Sequence, residues 1–162
     1  MVSFSIEEKK EVLKSILNKE IVAVHRQLFK NDMSMVDYEQ SADGPIEFTM
    51  SDGTNIHFLA NTENLSVEVC AGKMPLYGDS YLWVDVSGNY FWKDRIRCKI
   101  DEIEVLQDLN WNEEYSCEFG VLISFSNKNK VMIVYKDEDN YHDMIFLCAN
   151  YNGLPCIITN VK

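Results

Sequence analysis

The 162-residue chain carries 15 Lys and Arg against 26 Asp and Glu, a formal net charge of −11. That length predicts one domain with a core of its own, and 46% hydrophobic residues exclude a disordered tail. The acidic excess opposes sequence-independent binding to phosphate backbones or anionic membranes, which need a basic footprint, and favours a basic protein partner. In chain order, Ser5 followed by Glu8 matches a capping box, so a helix is expected to start there. Val12, Leu13, Ile16 and Leu17 recur at helical spacing, and Asn18 can end the helix. A strand over 21–28 follows directly, and no second helix of comparable quality is found beyond it.

Ile46, Phe48 and Met50 alternate with polar residues, Ser51-Asp52-Gly53 supplies a turn, and Ile56, Phe58 and Ala60 resume the alternation. Val121, Ile123 and Phe125, the turn 126–129, then Val131, Ile133 and Tyr135 repeat this hairpin without a gap. Candidate strands flank each copy: 21–28 and 65–70 around the first, 103–106 and 144–148 around the second. Two copies of a four-strand meander is the economical reading. The alternative is that any two amphipathic hairpins align this way because strands share a period of two. A segment at 72–95, rich in Gly, Pro and aromatics, reads as a connection with one short strand at 81–86, and 155–161 reads as a final strand. The expected fold is α+β, mainly β. A single domain, 1–162, holds an N-terminal helix and two antiparallel meanders packed as a sandwich or half-open barrel with an internal repeat. Its parts are 1–71, the connection 72–95, and 96–162.

Charges precede any apolar stretch long enough for a signal peptide, and no run approaches the ~18 apolar residues of a membrane span, so a cytoplasmic protein is expected. Cys70, Cys98, Cys117, Cys148 and Cys156 are scattered and lack CxxC spacing, which fits reduced thiols; Cys70, Cys148 and Cys156 read as small core residues. His25, His57 and His142 have no second ligand at short spacing, and strand alternation sends His57 to the polar face. No dinucleotide, P-loop, hydrolase-elbow or zincin motif occurs, so no catalytic residue, metal or cofactor is expected. Lys93, Arg95, Arg97 and Lys99 would share one face if their segment were a strand. That strip is the basis for a single-strand nucleic-acid reading, against a solubilising strand face or an intramolecular partner to the acidic clusters.

Residues 1–30 sum to about +2 and residues 101–143 to about −8. Within the acidic block, Glu113, Glu114, Asp137, Glu138 and Asp139 lie near Trp111 and Tyr141, and these seven are the candidate partner-binding residues. Aromatic anchors rather than rim charges carry most interface energy, so Trp111 and Tyr141 are the expected hot spots. A second candidate is a small-ligand or adaptor groove lined by Tyr77, Tyr81, Trp83 and Tyr90.

The short helix, the strand Lys19-Glu20-Ile21-Val22-Ala23-Val24, and Asp43-Gly44-Pro45-Ile46-Glu47-Phe48 running into Ser51-Asp52-Gly53-Thr54 carry a family resemblance. Over residues 10–70, with an echo to 150, the chain resembles small immunity proteins of bacterial polymorphic-toxin and contact-dependent growth inhibition systems. The resemblance implies a cytoplasmic, non-enzymatic protein that binds one cognate toxin domain and blocks its active site. A nuclease-type toxin with a basic cleft would suit an acidic inhibitor.

Overall fold

A computed structural model describes residues 2–3, 6–30, 41–42, 44–61, 63, 66–108, 116–138, 142–148 and 156–161. The first helical segment opens as a 3-10 turn at Glu7–Lys9 and continues as α1 (Lys10–Lys14), with no side-chain cap bond at Lys9. Ser5 of the expected capping box lies outside the described residues. Leu13 and Ile16 are buried, while Lys9, Lys10 and Glu11 face water, as the helical spacing requires. Asn18 then takes φ +63°, the left-handed conformation that stops a helix.

The strands are β1 (Val2–Ser3), β2 (Ile21–Phe29), β3 (Ser41–Ala42), β4 (Ile46–Met50), β5 (Asn55–Asn61), β6 (Ser66–Ala71), β7 (Tyr81–Asp85), β8 (Ile100–Asp108), β9 (Ser116–Phe125), β10 (Lys130–Glu138), β11 (His142–Cys148) and β12 (Cys156–Asn160). A second, one-turn helix, α2 (Tyr90–Lys93), precedes β8. It was not expected because four residues are too few to show helical periodicity. It lies inside the 72–95 segment read as a connection.

The strands form two sheets, one ordered β6-β5-β4-β2-β7 and the other β12-β8-β9-β10-β11-β3. Among the described residues all strand pairings are antiparallel except the two-residue β1–β9 pair, which is parallel. The protein is therefore α+β and mainly β. The sheets pack face to face, β6 over β9 and β10, and β5 over β11. Phe48 and Phe58 from one sheet share a single core with Val121, Ile123 and Phe125 from the other. Trp92 of α2 is fully buried there and meets Phe48 edge-on at 5.5 Å.

The internal repeat runs further than the hairpins. Helix, meander and a fifth strand recur in the same sheet order, with β2, β4, β5, β6 and β7 matched by β8, β9, β10, β11 and β12. Arg97 adopts the same φ of +63° as Asn18. Register shifts fall at Ile21/Ala23 in one copy and Ile100/Glu102 in the other. Both hairpin turns close alike: Thr54 N–H donates to Asp52 Oδ1 at 2.9 Å, and Asn129 N–H to Asn127 Oδ1 at 3.1 Å. The fifth strands dock alike too, Val86 N–H donating to Val24 O and Val161 N–H to Ile103 O, each at 2.9 Å. Where the copies meet, Asn18 N–H donates to Ile100 O at 2.9 Å and Arg97 N–H to Ile21 O at 2.8 Å. That reciprocity is what an approximate twofold axis between the copies produces; it passes by the Glu20–Lys99 bridge.

Candidate partner-binding surface

Strand alternation puts Phe48 and Phe58 into the core, so Glu47 and His57 project from the outer face of the first sheet. One residue from each strand aligns across that face: Asp85, His25, Glu47, His57 and Cys70. An outer face would ordinarily be wet, yet Gln27, Glu47 and His57 are only 2%, 3% and 6% exposed. What buries them is topology. The fifth strand, β7, sits beyond β2 at the opposite edge from β6, so residues 72–80 must cross the sheet as a strap.

The strap's backbone needs hydrogen-bond partners as it passes over each strand, and the sheet supplies one after another. His57 of β5 bonds Gly72 O through Nδ1 at 2.8 Å. Glu47 of β4 accepts from Met74 N–H at 2.7 Å. Gln27 of β2 uses both ends of its amide, donating to Pro75 O and accepting from Tyr77 N–H at 2.6 Å. Met74 alone among the strap side chains turns inward, at 3% exposure. Gln27, Glu47 and His57 thus have a structural task, holding the backbone of the strap.

The strap's other side chains face solvent. Leu76 and Tyr77 are 85% and 47% exposed, and Leu82, Trp83 and Tyr90 follow at 40%, 43% and 84%. These are the large exposed hydrophobics of the described residues, and all lie between positions 76 and 90. Tyr77 and Tyr81 meet edge-on at 4.8 Å, and Tyr81 leans on Phe29 at 5.5 Å. Trp83 lies 6.1 Å from the His25 ring, beside the loose 3.9 Å contact of His25 Nε2 with Asp85 Oδ2. The side-chain hydroxyl and backbone N–H of Ser87 hold the Asp85 carboxyl below its ordinary range, so it stays ionised. Of the four rings expected to line a groove, Tyr77 and Tyr81 are in contact and Trp83 shares β7 with Tyr81. Tyr90 sits apart on α2 with Lys93 Nζ 5.0 Å over its ring.

The seven residues singled out in the acidic block stand differently. Trp111, Glu113, Glu114, Asp139 and Tyr141 lie outside the described residues. Asp137 and Glu138 end β10, opposite Asp143 and His142 of β11. The basic strip does not form. Residues 94–97 are a turn, and Arg95 folds inward at 8% exposure, stacked 4.1 Å over Phe91 with its Nε donating to Lys130 O. Cys70 is not a core residue; it is half-buried on the outer face opposite His57, and burial pushes its thiol pKa up, away from the reactive thiolate.

Among the described residues, no three His, Cys, Asp or Glu side chains gather as metal ligands would, and no helix is long and apolar enough to cross a membrane. Compared with known proteins, the chain matches no family model, no curated protein and no solved structure. The surface at 76–90 was only half legible. Its aromatic content was plain, but the strap that fixes it depends on Gln27, Glu47 and His57, which are remote in sequence.

Proposed function

We propose that this chain is a cytoplasmic, non-enzymatic immunity protein that binds a cognate, basic, nuclease-type toxin domain and occludes its active site. The supporting observation is the exposed apolar side chains of Leu76, Tyr77, Leu82 and Trp83, carried by β7 and by a strap whose backbone is tied down at Gly72, Met74, Pro75 and Tyr77. Exposed aromatics on a rigid support suit binding, because little conformational freedom is left to lose when a partner docks. A net charge of −11 adds attraction for a basic partner, chiefly in the association rate. In this reading the acidic block that includes Asp137, Glu138 and Asp139 contributes to that attraction.

The test is binding and neutralisation of a basic nuclease domain encoded immediately upstream. A stable complex that abolishes nuclease activity is expected, and a chain that neither binds nor inhibits that domain overturns the proposal. Charge reversal across 137–139 should slow association while leaving dissociation nearly unchanged.

A further inference from the structure

Strand β7 lies at the edge of its sheet, with β2 as its neighbour among the described strands. Two bonds fix which backbone groups face that neighbour: Val86 N–H donates to Val24 O, and Lys30 N–H to Ser80 O, each at 2.9 Å. By strand alternation the backbone groups of Leu82 and Val84 also face β2, and those of Trp83 and Asp85 point to the outer edge. Proteins usually guard such an edge with lysine, proline or a bulge. Here β7 reads Tyr-Leu-Trp-Val-Asp, in regular register with β2 from Phe29↔Tyr81 to His25↔Asp85. Its side chains add a pattern of their own. From 74 to 92 the chain has no Lys, Arg or His, and its only charges, Asp79 and Asp85, bracket the apolar stretch.

We infer that β7 accepts an extended, basic segment of the partner protein as an additional strand, with Trp83, Leu76 and Tyr77 packing on its apolar side chains and Asp79 and Asp85 meeting its cations. The inference rests on the toxin-binding reading and names how that binding is made. Backbone pairing supplies affinity, the aromatic side chains supply selection, and Trp83 can also take a Lys or Arg over its ring. The acidity of the chain argues against a second copy as the occupant, since two chains of charge −11 repel.

The test compares two substitutions at one exposed position, binding the full-length chain to the purified basic domain encoded upstream. Trp83→Ala removes the ring but keeps the edge N–H, whereas Trp83→Pro removes both and spares the bonds to β2. Strand addition predicts that Trp83→Pro binds at least tenfold more weakly than Trp83→Ala, and that the Trp83 and Asp85 amides of the native chain gain hydrogen-exchange protection in the complex. If Trp83→Pro loses the native circular-dichroism spectrum, the amide protection alone decides. Equal affinity of the two folded variants, or protection confined to residues outside 72–90, overturns the strand-addition inference and leaves the function standing. Absence of any complex overturns both. A concentration-dependent dimer of the chain alone, abolished by Trp83→Pro, would assign the edge to a second copy and likewise overturn the inference.

Discussion

The two copies of the repeated unit share a backbone plan and differ on their outer faces. At the three positions where the first copy places Gln27, Glu47 and His57, the second places Leu106, Leu122 and Met132. In the first copy these side chains are buried because a strap lies on them, and each holds one or two of its backbone groups. In the second, Leu106 and Met132 join Phe119 and Val134 in a small apolar cluster of their own, with Leu122 packed against it. A shared fold therefore supports two solutions for the same face. An apolar face gains by burial alone, whereas the polar face loses the full desolvation cost of any group left unbonded, which fixes the strap's path more tightly.

The comparison can be broken most severely at the shared core. Trp92 of α2 occupies the position that Leu13 holds in α1. Trp92→Ala should cost about 3–5 kcal/mol in urea unfolding, because the ring fills the space against Phe48 and its loss leaves a cavity. Next comes the exchange of face chemistry. Glu47→Leu gives the first copy the second copy's residue and leaves Met74 N–H buried without its acceptor. A loss of about 2–3 kcal/mol is expected, with faster proteolytic cleavage near Leu76 as the specific sign of a freed strap.

Two smaller changes sharpen the comparison. Arg97 and Asn18 occupy equivalent left-handed positions, and an arginine there is strained where asparagine is tolerated. Arg97→Asn should therefore gain about 0.5–1 kcal/mol, read as a higher thermal midpoint. The smallest effect lies in the hairpin turns, where Asp52 does in one copy what Asn127 does in the other. Lys19 at 2.7 Å and the Thr54 side chain and N–H hold the Asp52 carboxyl well below its ordinary range. Its folded pKa is depressed, so its stabilisation is present above the ordinary carboxylate range and is lost as pH falls through the folded value. Asp52→Asn should therefore lower the thermal midpoint slightly at neutral pH, with the gap to the native chain closing as pH falls and the acid limb correspondingly flatter.

How much of this was legible in the sequence follows from range. The strands announced themselves through alternation, because Ile46, Phe48 and Met50, or Val121, Ile123 and Phe125, need only a buried face on one side. Asn18 signalled a helix stop because asparagine suits a left-handed backbone; Arg97, doing the same work, gave no signal. Alternation also sent His57 to the outer face correctly, yet its burial depends on a strap that crosses from β6 to β7, a fact of topology rather than of local pattern. Lys93 to Lys99 would share a face only if their segment were a strand, and alternation alone does not decide that: residues 94–97 are a turn and Arg95 folds inward. Of the candidate binding surface, the aromatic content was visible and its rigid support was not.

The central claim is that Gln27, Glu47 and His57 hold the strap and so fix the surface that a partner meets. Amide hydrogen exchange at Met74 and Tyr77 tests it most directly, since those two N–H groups are donated to Glu47 and Gln27. Slow exchange in the native chain is predicted. It should be lost at Met74 in Glu47→Leu and at Tyr77 in Gln27→Leu, with the amides of β4 and β5 still protected. Exchange at Met74 and Tyr77 as fast as in an open loop of the native chain would contradict the account.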